Sequence, residues 1–258
     1  MVINSNESRC DLLVISPHTD DAEIALGGTL RLLANQGRKV WVADLTRGEI
    51  ATNATVDERW QEAFEASKIL GLAGRLQLEL PDGFVDRTDQ HHVGQVVALL
   101  RRLCPRWVVT APNPARHPDH IETPGLVEKA LFMARLRGWQ PELAAHHLWP
   151  GGEALPAAVD RWAVASNGAV CGEGDRPDLI FDVSTTWSAK MAAIDCYQSQ
   201  LQRQSQRTAT MINDPSFLDK IERRAKALGW DSGVELAEAI TVVQCPVVDD
   251  LPTESWTG

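Results

Sequence analysis

The feature that most constrains this chain is a regular alternation of short apolar runs and amphipathic stretches through its first half. Residues 11–16 (DLLVIS) read as a buried strand. Residues 24–35 have helical spacing, with Ile24, Leu30 and Leu33 on one side, until Gln36-Gly37 breaks the pattern. A second strand follows at 39–46, and an amphipathic helix at 56–70 ends at Gly71. The third strand, 75–80, runs into the turn Pro81-Asp82-Gly83. A helix at 92–103 stops before Pro105, a fourth strand fills 107–111, and a helix at 122–136 closes at Gly138. Strand and helix in strict turn imply right-handed βαβ units, hence a parallel sheet covered on both faces.

The second half is less regular. Segment 141–174 is rich in Pro, Gly and Ala and holds one strand, 161–166. Residues 179–183 (LIFDV) form another strand. A helix at 184–200 is expected with Ser184 as its N-cap, and a last helix at 215–228 is stopped by Gly229. The expected architecture is one α/β domain over 1–258. It comprises a Rossmann-like half (1–140), with a mostly parallel sheet and helices on both faces, and a C-terminal α/β elaboration (141–258).

Two segments carry the chemistry. Pro17-His18-Thr19-Asp20-Asp21-Ala22-Glu23 follows the first strand, and Arg116-His117-Pro118-Asp119-His120 follows the fourth. In a doubly wound sheet of order 3-2-1-4-5 those strands are neighbours, and their outgoing loops diverge at the switch point where ligands bind. One such cluster reads equally well as a capping device. Two of them at converging strand ends point to a site. Metal-assisted hydrolysis needs three ligands on a divalent ion and a spare carboxylate, and these segments supply all of them.

Composition narrows the function further. A net charge of −10 argues against nucleic acid or an anionic membrane as partner. The N-terminal MVINSNESRC lacks the apolar core of a secretory signal, and no run approaches the ~20 apolar residues of a membrane span. Five scattered cysteines without a C-x-x-C pair fit reduced thiols in a cytoplasm. No G-x-G-x-x-G follows the first strand; Gly27-Gly28 comes too late, inside the helix, which disfavours a dinucleotide site.

The paired H-x-D-D-x-E and H-P-D-H segments resemble those of the PIG-L/LmbE zinc-dependent N-deacetylases. Further stretches are similar to the branch that deacetylates N-acetylglucosaminyl-malate in bacillithiol biosynthesis: residues 43–49 (ADLTRGE), Asp57-Glu58-Arg59, Leu80-Pro81-Asp82-Gly83, Arg116 and residues 193–200 (AIDCYQSQ). Segment 141–174 departs from that branch, and residues 236–240 read LAEAI where Y-A-E-G-F is usual.

The resemblance implies zinc held by His18, Asp21 and His120, with Fe²⁺ also compatible. It makes Asp20 the general base and His117 the group that stabilises the oxyanion or protonates the leaving amine. Asp119 orients His117 or caps a helix. Glu23 supports the ligand shell or favours a helix N-terminus. Arg59 and Arg116 contact substrate or lie on a solvated surface, and Tyr197 donates to the oxyanion or is a buried tyrosine with a satisfied hydroxyl. His91-His92 and His146-His147 lack carboxylates at useful spacing and read as surface or loop residues. The implied protein is a cytoplasmic, homo-oligomeric hydrolase acting on a small-molecule N-acetyl amino sugar. N-acetylglucosaminyl-malate is the first candidate; an antibiotic-pathway amino sugar, a chitooligosaccharide or a thiol conjugate is the alternative. A non-catalytic sugar-binding module is disfavoured by the intact His/Asp set.

Overall fold

The computed structural model describes residues 10–110, 117–136, 138–139, 161–165, 177–201 and 208–243. Its elements run β1 (Leu12–Ser16), α1 (Asp21–Asn35), β2 (Val40–Thr46), α2 (Val56–Leu70), β3 (Gly74–Leu80), α3 (Gln90–Leu103), β4 (Trp107–Thr110), α4 (Pro118–Met133), β5 (Arg161–Ala165), β6 (Leu179–Asp182), α5 (Trp187–Asp195), α6 (Gln198–Leu201), α7 (Phe217–Ser232) and β7 (Ala237–Val242). Among the described residues, seven strands form one sheet in the order β3-β2-β1-β4-β5-β7-β6. The first five strands are parallel, and β7 runs antiparallel to β5 and β6.

The central strand shows why the sequence gives two covered faces. All five residues of β1 are buried. Leu13 and Ile15 pack with Val96 and Leu100 of α3 and Leu126 and Val127 of α4. Leu12 and Val14 face the other way, against Leu26 and Leu30 of α1 and Ala63 and Ala66 of α2. Each buried Leu or Ile contributes ~1.5–3 kcal/mol, and Leu13→Ala in so tight a layer costs about 2–5 kcal/mol. Because β4 pairs with β1 in parallel, both His/Asp segments leave the same edge of the sheet.

Helix α1 is broken at Leu26, whose φ of −136° and ψ of 15° are not helical. Past the break, the amides of Gly28 and Thr29 donate to the buried Glu238 carboxylate on β7 at 3.0 and 2.7 Å. The Thr29 hydroxyl and Lys190 Nζ donate to it as well, and Lys190 also reaches the Ile24 carbonyl at 2.8 Å. Gly28 permits this packing: a Cβ there would lie 2.7 Å from Val183 Cβ.

Several expected boundaries shift. Strand β7 is not among the expected elements, because Leu236-Ala237-Glu238-Ala239 has little β propensity; its placement follows from Glu238. Ser184 is not an N-cap: its hydroxyl donates to Asp182 and accepts from the Leu236 amide, and α5 starts after Thr186. The expected 184–200 helix divides before Tyr197. Gly229 does not stop α7, which runs on to Ser232 and ends at Gly233 with φ +74°. A Cβ at position 229 would sit 2.6 Å from the Val234 carbonyl, so that glycine serves close packing. Helix α4 starts earlier than expected, with Pro118 at its first position and His117 as N-cap.

Candidate metal centre and active site

Four loops at the C-terminal edge of the sheet build the site. Residues 17–20 leave β1, and Asp21 opens α1. His117 caps α4, which carries Asp119 and His120. Asp82 follows β3, and Arg59 lies in the first turns of α2. The α2 start is fixed by a capping box: Thr55 Oγ1 accepts from the Glu58 amide at 3.2 Å, and Glu58 accepts from the Thr55 amide at 2.8 Å.

The three expected ligands come together. Asp21 Oδ2 lies 3.2 Å from His18 Nδ1, and Asp21 Oδ1 lies 3.3 Å from His120 Nε2. One ligand atom from each falls within 4.8 Å of the others. Nitrogen and oxygen ligands at ~2.0–2.1 Å from a tetrahedral zinc stand ~3.3 Å apart, so the donor set fits such an ion in type and spacing. The electrostatics agree. Burial opposes a charge on His18, but the nearby carboxylates of Asp119, Asp21 and Asp82 outweigh it and raise the imidazole well above its ordinary pKa. Burial likewise works against the Asp21 anion, and His120 and His18 reverse this, holding the carboxyl below the usual range. The pocket therefore demands positive charge at its centre, which a proton or a divalent cation can provide.

Asp20 is 4% exposed. Its Oδ1 accepts from Arg59 Nη2 at 3.3 Å, while its buried Oδ2 has no partner among the described residues. One oxygen is thus held and the other left free to accept a proton. Arg59 is itself buried and reaches Asp20 over Gly48, where φ is +65° and a Cβ would stand 2.4 Å from Arg59 Nη1. Arg59, expected as a substrate contact, is thus held against Asp20 through Nη2, while its Nε has no partner among the described residues.

His117 accepts the Asp119 amide proton on Nδ1 at 3.3 Å. Its own ring proton then sits on Nε2, on a side chain that is 41% exposed. Burial and the neighbouring His18 hold its pKa below the ordinary histidine value, which favours the neutral ring that donates from Nε2. Asp119 neither caps α4 nor bonds His117 closely, its Oδ2 being 3.9 Å from Nδ1. It is fully buried, accepts the Gly83 and Val85 amides at 2.8 and 3.1 Å, and approaches His18 Nε2 at 3.4 Å.

Tyr197 is placed behind the site. It is 1% exposed, and its hydroxyl donates to the Thr19 carbonyl, so its proton fixes the His18–Asp21 loop and is not available to an oxyanion. The same carbonyl accepts from Arg75, which also binds Asp44 through Nε and Nη2 at 2.7 and 2.9 Å and Glu23 through Nη1 at 2.5 Å. Glu23 therefore serves this pair and does not reach the ligands. With one guanidinium for two buried acids, burial pushes Asp44 up to about 6 and raises Glu23, although Arg75 pulls both down. Sequence reasoning does not single out Arg75, Asp44 or Asp82 as parts of the site. A signal exists: Asp44 and Arg75 are opposite charges inside two strands read as buried and adjacent.

Arg116 and His146-His147 lie outside the described residues. His92, expected at the surface, is buried on α3 and accepts the Asp86 amide at 3.0 Å; His91 is exposed.

The model of the PIG-L family, described as GlcNAc-PI de-N-acetylase, matches residues 13–131, which include both His/Asp segments. The solved structure of the conserved protein TT1542 from Thermus thermophilus is 30% identical and superposes with a TM-score of 0.76 over 93% of this chain and 97% of that one. The chain belongs to the PIG-L family. Among curated relatives, the probable N-acetyl-alpha-D-glucosaminyl L-malate deacetylase 2 of Bacillus cereus is 27% identical over 79% of this chain and 89% of its own. The 4-oxalmesaconate hydratase of Pseudomonas putida is also 27% identical, over 76% of each chain.

Proposed function

We propose that this protein is a cytoplasmic, metal-dependent N-deacetylase of N-acetylated amino sugars, with N-acetylglucosaminyl-malate as the first substrate to test. The observation that carries the reading is the free Oδ2 of Asp20 beside a three-residue ligand set. His18, Asp21 and His120 would hold the ion, and zinc, with Fe²⁺ as the other candidate, supplies Lewis acidity when bound. Asp20 accepts a proton from the water that adds to the acetamide carbonyl. Its Arg59 contact keeps the carboxylate aimed while leaving Oδ2 open. His117 Nε2–H donates to the oxyanion that forms. The proton taken by Asp20 then passes to the amine as the C–N bond breaks, giving acetate and a free amino sugar.

The family description and the Bacillus cereus relative favour the amide substrate. The Pseudomonas putida hydratase, at the same identity, favours a second reading in which activated water adds across a carbon–carbon double bond. One panel separates them. With added Zn²⁺ or Fe²⁺, acetate release is measured from N-acetylglucosamine, its malyl glycoside and N,N′-diacetylchitobiose, and absorbance loss is followed with an unsaturated dicarboxylate. Acetate release that falls at least ~100-fold in Asp20→Asn, with metal retained, supports the deacetylase. Hydration without any acetate release refutes it.

A further inference from the structure

Two buried polar atoms in the site face each other without a regular hydrogen bond: His18 Nε2 and Asp82 Oδ1, 3.2 Å apart. His18 Nδ1 is turned to Asp21 and the ligand set, so Nε2 must carry the ring proton whenever Nδ1 binds an ion. That proton points between two carboxylates, Asp82 Oδ1 at 3.2 Å and Asp119 Oδ2 at 3.4 Å, and is aligned squarely with neither. The two acids differ in their other commitments. Asp119 spends both oxygens on the Gly83 and Val85 amides. Asp82 gives only Oδ2 to the backbone, accepting from the Ile50 amide at 3.3 Å, and its Oδ1 has no other described partner. Asp82 is 4% exposed, and its own amide is fastened to Glu49 at 2.7 Å. It is a rigid, desolvated anion held by the β2–α2 and β3–α3 loops and aimed at one ring nitrogen.

We infer that Asp82 is a positioning residue for the metal centre: it takes the Nε2 proton of His18, fixes the tautomer that leaves Nδ1 free, and strengthens that nitrogen as a ligand. Partners of this kind behind a ligating histidine typically change metal affinity by about 10–100-fold. The inference rests on the metal-centre reading, and the experiment keeps the two apart.

Zinc affinity and stoichiometry are measured by competition with a fluorescent chelator on the wild type, Asp82→Asn and Asp82→Glu, alongside melting of each apoprotein. Asparagine keeps an acceptor for the Ile50 amide but loses the anion. The expected result is one zinc per wild-type chain, a Kd raised about 10–100-fold in Asp82→Asn, at least part of that loss recovered in Asp82→Glu, and apoprotein melting close to wild type in both. The glutamate variant also reports if the asparagine variant fails to fold: retained tight binding with the charge in place is expected, and a loss as large as complete removal of His18 overturns the role. Wild-type affinity in Asp82→Asn overturns the assignment alone. Two zinc ions in the wild type and one in Asp82→Asn overturn it too, since His18, Asp82, His117 and Asp119 would then be a cation site of their own. A wild type that binds no divalent ion removes the metal reading and this inference together.

Discussion

Gly48→Ala is expected to disable the enzyme without touching either metal or substrate. The added Cβ would stand 2.4 Å from Arg59 Nη1 and 2.9 Å from Cζ, a distance no pair of such atoms tolerates. The far end of an arginine can swing away cheaply, but here swinging away breaks the 3.3 Å contact to Asp20. Holding alanine at φ +65° costs a further ~1–2 kcal/mol of stability. A hydrogen bond between charged groups is worth about 1.5–3 kcal/mol, and both side chains are nearly inaccessible to water, at 7% and 6% exposure. At ~1.4 kcal/mol per tenfold, the loss in kcat at saturating metal is about 10–150-fold, equal for N-acetylglucosamine and its malyl glycoside. A double-mutant cycle makes the test sharp. In an Arg59→Ala background, Gly48→Ala should cost its stability increment in urea unfolding and lower kcat no further. A full additional fall in kcat would show that Gly48 acts by another route. Losses confined to the malyl glycoside would show that Arg59 acts as a substrate contact.

Three other outcomes are expected. His120→Ala removes an Asp21 partner and one of the three proposed ligands, so it should abolish stoichiometric metal binding, measured by elemental analysis, while the far-ultraviolet spectrum persists. Because the folded protein raises the pKa of His18, the apoprotein gains stability from that group below its unfolded value of ~6.5 and loses it as pH rises through the folded value. Melting with a chelator should therefore fall on the alkaline side relative to melting with zinc, and zinc affinity should weaken as pH drops and protons compete for His18; a pH-independent difference between the two melting curves would refute this. Glu238→Ala leaves Lys190 and two amides without their acceptor and should cost about 3–5 kcal/mol in urea unfolding; a loss below ~1 kcal/mol would show that water replaces the carboxylate.

Strand–helix alternation makes the parallel strands legible, with β1 and β4 as apolar runs, and the doubly wound topology gives their order. Spacing after the first and fourth strands likewise marks His18, Asp20, Asp21, His117 and His120. What stays hidden has a common cause. By residue type, Arg59, Tyr197, Asp119 and Glu23 read as groups that meet a ligand or cap a helix, but their partners lie far off in the chain: Tyr197 meets Thr19 across 178 positions. Strand β7 is hidden for the same reason, since its alanines and glutamate look helical until Glu238 is seen to face the broken turn of α1, 210 positions away from Gly28. Local patterns report burial well; they do not report which buried polar atom answers which.

That clamp on α1 has a consequence for how the protein folds. The helix that begins with Asp21 receives its acceptor from β7, 210 positions further along the chain than Gly28. A chain without β7 keeps both His/Asp segments, yet the Gly28 and Thr29 amides of α1 and Lys190 of α5 lose their shared buried carboxylate. Seating of the helix that opens at Asp21 is therefore non-local: it waits on a contact between residues 210 positions apart, the kind of pairing whose loop-closure cost is met late in folding.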